Sequence, residues 1–227
     1  MRKRSIVLSL FLPLAAACGT VGYPVPAELA TVAPLRVSGR QGVLVNQRLS
    51  FGPYATGEVS RSSTRGTEVT DVLDSHGGDY RQRYSFSLAR DGAKVADVAC
   101  TAEGSGASTL DVTWRLKRVL KCDLAAPDGA QRTLLLDSSR DQPLAGGVTG
   151  SEGFQVDGSY RVGGGRVSGT AGYTVRRGGG TPVAAVDVLN GGAVYLAGAG
   201  DDVVAAVAAA LLLYQDPLQA SERFRDP

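Results

Sequence analysis

The residues that could carry catalysis or hold a metal gather around the chain's one histidine. His76 lies in the segment Asp74-Ser75-His76-Gly77-Gly78-Asp79, which contains all three side-chain types of a hydrolytic triad. A triad is assembled from separate parts of a fold, however, with its serine in a defined turn, and the sequence contains no Gly-x-Ser-x-Gly motif. The aspartates at 71, 74 and 79 do not follow the calcium-loop spacing. We therefore predict a solvated loop here, with no catalytic residue, no metal and no cofactor.

Three cysteines are the other reactive side chains. Cys100 and Cys122 lie in two successive predicted strands, and in an oxidising compartment a disulfide between them is the default. The alternative is a pair of buried free thiols. Their spacing excludes a Cys-x-x-Cys redox pair, and two cysteines with one distant histidine make a poor zinc site.

The third cysteine, Cys18, follows a segment with the composition of a secretion signal. Residues 1–4 are a cationic start, residues 6–14 are mostly apolar, and three alanines at 15–17 precede the cysteine. This order predicts a cleaved signal peptide over residues 1–17. The apolar stretch of about nine residues is well short of the roughly twenty that a membrane-spanning helix needs.

A cysteine at this position resembles the lipobox of bacterial lipoproteins, whose processing makes it the lipidated N-terminus. Ala15 stands where a lipobox most often has leucine. Ordinary cleavage after Ala17 is the alternative, and it would leave an odd thiol at a flexible terminus. The resemblance implies acylation of Cys18, with palmitate as a typical acyl group. Because Gly19 rather than aspartate follows, similarity to enterobacterial sorting implies the outer membrane, with the domain facing the periplasm.

The charge balance gives no electrostatic reason to expect nucleic acid. The chain has 24 basic and 22 acidic residues, and the predicted signal peptide contains three of the basic ones and none of the acidic ones, so the mature net charge is −1. A nucleic-acid-binding domain is usually strongly basic. The expected partner is the membrane, through the lipid anchor, and the sequence identifies no protein or lipid partner beyond it.

The mature chain divides into a short leader and one domain. Residues 18–41 include Pro24, Pro26 and Pro34 without apolar periodicity, which predicts a flexible tether behind the lipidated cysteine. Residues 42–227 are long enough for a single domain with a sizeable core. We predict one β-rich periplasmic domain there.

Alternating patterns and turn residues predict many short strands. Tyr84, Phe86 and Leu88 alternate with small residues before the turn pair Asp91-Gly92, and a second turn pair stands at Asn190-Gly191. Strands at this spacing are typical of an antiparallel barrel or sandwich. Two further patterns extend this interpretation: Arg81 and Arg83, beside Arg61 and Arg65, predict an exterior edge rather than an anion site, and Trp114, in phase with Leu110, Val112 and Leu116, predicts core packing.

One helix is predicted over residues 201–214. Asp201 and Asp202 stand where the helix dipole favours negative charge, and residues 203–214 contain no charged side chain. A helix that is apolar all round is buried or lies in a membrane. About twelve residues rise only about 18 Å, too little to span a bilayer, so burial is predicted and a second membrane contact is the alternative.

A strand-rich domain that ends in such a helix resembles the tubby-like fold, which phospholipid scramblases share. The resemblance rests on residues 160–214, from Tyr160-Arg-Val162 through Gly172-Tyr173-Thr-Val175 to the helix that begins with Asp201. It implies a closed barrel of about a dozen strands around a hydrophobic C-terminal helix. Eukaryotic members bind phosphoinositide head groups through basic residues. No matching cluster stands here, so no binding residue is carried over.

These features together predict a non-catalytic envelope lipoprotein that serves as a structural or interaction module. A binding protein for a lipid or another apolar ligand, housed in the barrel, is the alternative. A third class, an envelope hydrolase, needs an acid–base set that the sequence does not supply. The structural module and the ligand-binding protein differ in the free volume inside the barrel, because a barrel filled by its own helix has no room for a ligand.

Overall fold

The computed structural model describes residues 22–39, 48–70, 75–109, 112–139, 142–150, 153–178, 180–198 and 201–216. Within these ranges the chain forms one 3₁₀ turn, sixteen strands and one α-helix. They are the turn Ala27–Leu29, β1 (Leu35–Ser38), β2 (Ser50–Phe51), β3 (Tyr54–Thr56), β4 (Ser60–Arg61), β5 (Arg65–Thr70), β6 (Ser75–Arg90), β7 (Ala93–Thr109), β8 (Val112–Ala125), β9 (Gln131–Ser139), β10 (Ala145–Thr149), β11 (Phe154–Ser159), β12 (Arg161–Val162), β13 (Gly165–Arg166), β14 (Gly172–Arg177), β15 (Pro182–Asp187), β16 (Ala193–Leu196) and α1 (Asp202–Leu213).

Twelve of the strands close into an antiparallel barrel. Their order is β3-β2-β1-β16-β15-β14-β11-β10-β9-β8-β7-β6, and β3 pairs with β6 to complete the ring. Strands β4 and β5 pair with β6 outside this ring, and β12 and β13 form a separate small hairpin. The predicted mainly β fold is confirmed as a barrel, which excludes the sandwich.

The two predicted turn pairs connect strands as expected. Asp91 and Gly92 have φ angles of 50° and 84° between β6 and β7, and Asn190 and Gly191 have 47° and 89° between β15 and β16. Left-handed backbone at both central residues gives a turn whose twist matches the flanking strands, and Asn, Asp and Gly tolerate it best. These local signals therefore fix two of the antiparallel connections.

Helix α1 occupies the interior of the barrel. Every residue from Val204 to Leu213 is at most 2 % exposed. The helix shares one apolar cluster with inward side chains such as Leu88, Leu120 and Val186. Five of its residues are alanines, at 205, 206 and 208–210, so the helix is thin enough for the aromatic and leucine side chains of the strands to close around it. The helix predicted over 201–214 and its burial are confirmed.

The N-terminal segment packs against the outside of the barrel. Leu29 is fully buried and forms a second apolar cluster with Tyr23, Ala171 and Ala185. Ala185 lies between two interior residues of β15, so this cluster covers the opposite, outer face. The Tyr23 hydroxyl is 2.6 Å from the Thr174 hydroxyl.

The tether predicted over residues 18–41 is therefore wrong for 22–39. Residues 35–38 are strand β1, which pairs with β16 and β2 inside the ring. Of the predicted tether, residues 18–21 and 40–41 lie outside the described residues. Prolines favour extended backbone, but they do not decide whether the extended segment packs on the domain or is exposed to solvent.

Strands β5 to β8 continue past one end of the barrel. The last β8–β9 pair is Lys117 with Ser139, whereas β8 stays paired to β7 as far as Val112, and β6 stays paired to β5 and β7 down to residues 75–76. We call this four-stranded extension, residues 65–70, 75–79, 105–109 and 112–117, the ribbon. The register shifts at its base, where Ser105 pairs with Lys117 but Gly106 pairs with Arg115.

A disulfide joins two neighbouring strands of the ring. Cys100 and Cys122 are direct partners in β7 and β8, and they are bonded to each other. Both are at most 3 % exposed and belong to the interior cluster. The predicted pairing agrees with the structure.

We expect loss of this bridge to lower the free energy of unfolding measurably. The bridge closes a loop of 22 residues, for which the chain-entropy model gives a stabilisation of about 3 kcal/mol. Urea unfolding of the Cys100→Ala/Cys122→Ala double variant should show this loss against the parent. Mass spectrometry of the non-reduced digest should recover the joined peptide pair. Quantitative alkylation of both thiols without prior reduction would contradict the bridge.

Candidate functional site

Polar side chains from the strands hold the C-terminal end of the buried helix. The last carbonyl groups of a helix have no partner within it. Arg61 donates to the Leu213 carbonyl at 2.7 Å, and the Tyr84 hydroxyl donates to the Ala210 carbonyl at 2.8 Å. A cation at this position also complements the negative end of the helix dipole. Arg61 is positioned in turn by Gln82, whose side-chain oxygen accepts from it at 2.8 Å.

A buried arginine lies beside this end of the helix. The Arg118 side chain is 4 % exposed and faces Asp216, which is 8 % exposed, with Nη1 and Oδ2 3.6 Å apart. Arg118 also donates to the hydroxyl of Ser138 at 3.1 Å, to the Tyr160 hydroxyl at 2.6 Å, and to the Gln142 carbonyl. The cluster thus joins β8, β9 and the segment just after β11 to the chain that leaves the helix.

The tyrosines of this end stay protonated at neutral pH. Burial raises the pKa of Tyr173 to about 12, and burial also raises the pKa values of Tyr84 and Tyr214 well above their ordinary range. A phenol held neutral in this way donates a hydrogen bond rather than accepting a proton. Of these three hydroxyl groups, that of Tyr84 binds the helix, through the Ala210 carbonyl, and all three are poorly suited to act as general bases.

Charged side chains hold the other end of the helix. Asp201 caps the first turn by accepting from the Val204 amide at 3.1 Å and pairs with Arg177 at 3.0 Å. Asp202 pairs with Arg90 at 2.9 Å and accepts from the Tyr54 hydroxyl at 3.3 Å. Asp201 thus satisfies one free amide of the first turn, and the two aspartates predicted at the helix start attach the helix to β3, β6 and β14.

An open depression lies beside this capped end, at the mouth of the barrel. It has a volume of about 880 Å³. Its apolar wall includes Val95, Leu124, Phe154, Leu196 and Val203, and charged residues such as Arg132 stand among them. The depression is confined to the mouth of the barrel, because the helix occupies the interior beyond it.

The structure places the residues around His76 in a sheet rather than a loop. His76 is a residue of β6, with Thr70 and Ser108 as its strand partners, and Asp79 pairs with Thr67 and Ser105. The predicted solvated loop is therefore wrong, because strands on both sides supply backbone partners to this polar segment. Asp71 and Asp74 lie outside the described residues.

The remaining predicted residues fall in three different places. Cys18 lies outside the described residues. Arg81 and Arg83 are exposed on β6, which agrees with the predicted exterior position, but β6 pairs with β5 and β7 and is not an edge strand. Arg61 reaches the helix terminus instead. Trp114 pairs with Ala107 in the ribbon, beyond the last β8–β9 pair, so the strand position predicted for core packing is not part of the barrel.

Sequence reasoning missed the buried Arg118 cluster, although one signal pointed to it. Arg118 is in phase with Leu120, Cys122 and Leu124, which face the interior. A charged residue on the apolar face of a strand needs a partner or a special role. Asp216, the partner, comes from a distant segment that no local pattern connects to β8.

The described ranges contain neither a metal-binding cluster nor a membrane-spanning helix. No group of three or more histidine, cysteine or acidic side chains comes together there as a metal site would require. The same part of the chain has no helix with the length and apolar character needed to cross a bilayer. Comparisons of the chain with protein-family models, with curated proteins and with solved structures find no match.

Proposed function

We propose that this chain is an outer-membrane lipoprotein, anchored through Cys18, whose barrel is a non-catalytic structural or interaction module of the periplasm. The observation that carries the proposal is the filling of the barrel by the chain's own helix. Every residue from Val204 to Leu213 is at most 2 % exposed. A barrel that carries a ligand needs an open interior instead.

The fixed ends of the helix support the same proposal. Arg177 and Arg90 pair with the two aspartates at its start, and Arg61 and Tyr84 bind carbonyl groups of its last turn. A helix that moved aside for a ligand would break these bonds and expose an apolar surface. The interior is therefore built to stay closed, and the surface of the barrel is what remains for partners.

The disulfide between Cys100 and Cys122 supports lipidation of Cys18. The chain has three cysteines, and the disulfide uses Cys100 and Cys122. Cys18 is then the remaining thiol, at the position where the lipobox resemblance puts acylation. Several acyl chains hold a protein on a bilayer far more firmly than one chain does.

Replacement of the anchor residue tests this proposal directly. Cys18→Ser should abolish incorporation of labelled palmitate and move the protein from the membrane fraction to the soluble periplasmic fraction, because no acyl chain remains to hold it. Gly19→Asp is the matched variant: labelling should persist, while the protein moves from the outer to the inner membrane. Unchanged membrane partition of Cys18→Ser would contradict the lipoprotein assignment.

Among the described residues, the mouth depression favours an apolar-ligand binder as the alternative. Its volume of about 880 Å³ is within the range of small-molecule sites, and part of its wall is apolar. Native mass spectrometry of the purified protein separates the two functions. The structural module should show only the acylated polypeptide, whereas a binder should show a co-purified small molecule.

Membership in the tubby-like family remains a proposal. A closed ring of twelve strands around a C-terminal helix is the architecture that the resemblance implies. The basic head-group site of the eukaryotic members is not part of this proposal, because the sequence has no matching cluster.

A further inference from the structure

An arginine lies on the inward face of β9 at the mouth of the barrel. Arg132 alternates along this strand with Leu134 and Leu136, which are fully buried in the interior cluster, so its side chain starts on the same face of the sheet. Its partner on β8 is Leu124, which is 5 % exposed. Arg132 is half-buried and forms part of the wall of the mouth depression.

Packing holds this side chain in place. Gly150 directly follows β10, the strand next to β9, and a Cβ atom at Gly150 would lie 3.0 Å from Cγ and 3.4 Å from Cδ of Arg132. The arginine therefore lies directly over the glycine, which leaves room for it because it has no side chain. The Nε atom of Arg132 is buried at this contact. The guanidinium group is thus held beside the depression.

The guanidinium group of Arg132 has no counter-charge among the described residues. Its Nε atom has no hydrogen-bond partner, and Arg132 forms no ion pair within these ranges. Arg118, the inward arginine at the other end of the same strand pair, has Asp216 beside it and donates three hydrogen bonds. Cations that are taken out of water are normally paired or hydrogen-bonded, so Arg132 is the exception in this barrel that calls for a partner.

The other charged residues of the depression are already engaged. Asp201 and Asp202 pair with arginines at the start of the helix, and Asp128 accepts a hydrogen bond from an amide of its own turn at 2.9 Å. Lys94, on the basic side of the wall, pairs with an aspartate of its own strand at 2.8 Å. An anion that enters the depression would therefore meet Arg132 as a cation without a partner in the described part of the wall.

The rest of the wall indicates what this anion is attached to. Its apolar part includes Val95, Leu124, Phe154, Leu196 and, from the first turn of the helix, Val203. The helix fills the interior beyond the mouth, so the depression has room for a short single chain and not for a larger apolar group. The described strands around it form a closed ring, which offers a peptide no strand edge and would leave its backbone groups unpaired. An acyl chain has no such groups.

We propose that the mouth depression binds a fatty acid, with the carboxylate on the guanidinium group of Arg132 and the acyl chain along the apolar wall. Arginine binds a carboxylate through two N–H donors, and each CH₂ group that leaves water adds to the affinity. The helix stays in place beneath the bound chain, so the site is compatible with a filled barrel. It goes beyond the structural role proposed above and does not depend on the anchor at Cys18.

Equilibrium dialysis of labelled dodecanoate against the purified Cys18→Ser protein tests the site. This substitution removes the protein's own acyl chains, which would compete for the depression, and with them the need for detergent. Below its micelle concentration, dodecanoate should bind saturably, one molecule to each protein chain. Dodecanol has the same chain without the charge and should bind about ten-fold more weakly. Octanoate should also bind more weakly, because each CH₂ group lost from the contact lowers the affinity by up to about four-fold. Absence of saturable binding, or dodecanol that binds as tightly as dodecanoate, would overturn the proposal.

A matched pair of variants in the same background tests the part of the guanidinium group. Arg132→Gln removes the charge and should lower the affinity for dodecanoate about ten-fold or more, while the affinity for dodecanol stays the same. Lys121→Gln on the neighbouring strand removes a charge from a side chain that is 56 % exposed and outside the depression, and it should change neither affinity. Equal affinity of the two variants for dodecanoate would overturn the assignment to Arg132.

The comparison of dodecanoate with dodecanol needs no substitution at position 132, so it decides the proposal even if Arg132→Gln does not fold. The membrane partition of Cys18→Ser bears on the anchor alone. Failure of the fatty-acid site and failure of the lipoprotein assignment therefore remain distinguishable.

Discussion

Val207→Asp, Ala209→Asp and Leu211→Asp should each prevent the accumulation of folded protein. These positions are at most 1 % exposed, and successive residues turn about 100° around a helix, so the three substitutions point in different directions. Breaking the apolar contact with an unpaired buried carboxylate costs several kcal/mol. The free energy of unfolding of a typical domain is only about 5–15 kcal/mol. The yield of soluble protein and its circular dichroism give the measurement.

The matched control is the same substitution one turn earlier. Val203→Asp places the carboxylate at a half-buried position in the first turn, beside the mouth depression, where the helix dipole favours negative charge. We expect this variant to fold. If Ala209→Asp also folded while the other two variants failed, the helix would have a wet side, and the interior would be open to a ligand.

Arg118→Met should destabilise the barrel by about 3–5 kcal/mol, the usual cost of removing one partner from a buried ion pair. The substitution leaves Asp216 beside the barrel without the cation 3.6 Å from it and leaves Tyr160 and Ser138 without their donor. Urea unfolding gives the free energy. Lys121→Met on the same strand is the control, because its ion pair with Asp123 is exposed and exposed pairs contribute about 0–1 kcal/mol.

A double-mutant cycle separates the ion pair from the packing of the arginine. In Arg118→Met/Asp216→Asn both charges are gone, so the double variant should be more stable than the sum of the two single losses predicts. The hydrogen bonds of Arg118 to Tyr160 and Ser138 are lost in either background. An Arg118→Met loss no greater than that of Lys121→Met would show that the cluster does not hold the barrel together.

The buried helix could be predicted because its evidence is local. Residues 203–214 contain no charged side chain, which indicates a buried helix and its length. The two aspartates before this run mark the N-terminal end of the helix. The turn pairs at 91–92 and 190–191 are local in the same sense. Each of these structures is determined by residues that are adjacent in the sequence, and each prediction was confirmed.

Closure of the barrel could not be predicted in the same way. A sandwich and a barrel share the same alternation, and the ring is completed by β1, β2 and β3, which have only two to four residues each. Strands so short carry no readable period. The packing of Tyr23 and Leu29 on the outer face depends on partners more than a hundred residues away, so the prolines around them predicted a tether instead.

The candidate site was hidden for a related reason. Arg61, Tyr84, Arg118 and Asp216 come from separate strands and from the chain after the helix, and only the closed ring brings them together. The inward phase of Arg118 on β8 was visible in the sequence. Its partner was not, because the pairing depends on the way the chain leaves the barrel.

The place of the helix after all the described strands sets the order in which this domain can fold. The ring needs contacts of very high sequence separation, such as Leu35 with Val194, and chain entropy must be lost before such contacts stabilise anything. The apolar core whose burial offsets this loss is the helix from Asp202 to Leu213, which leaves the ribosome after every described strand. Until then the strands have apolar inner faces and nothing to close around. Folding of this barrel therefore follows synthesis of the helix, because a segment made after every described strand is the core around which those strands close.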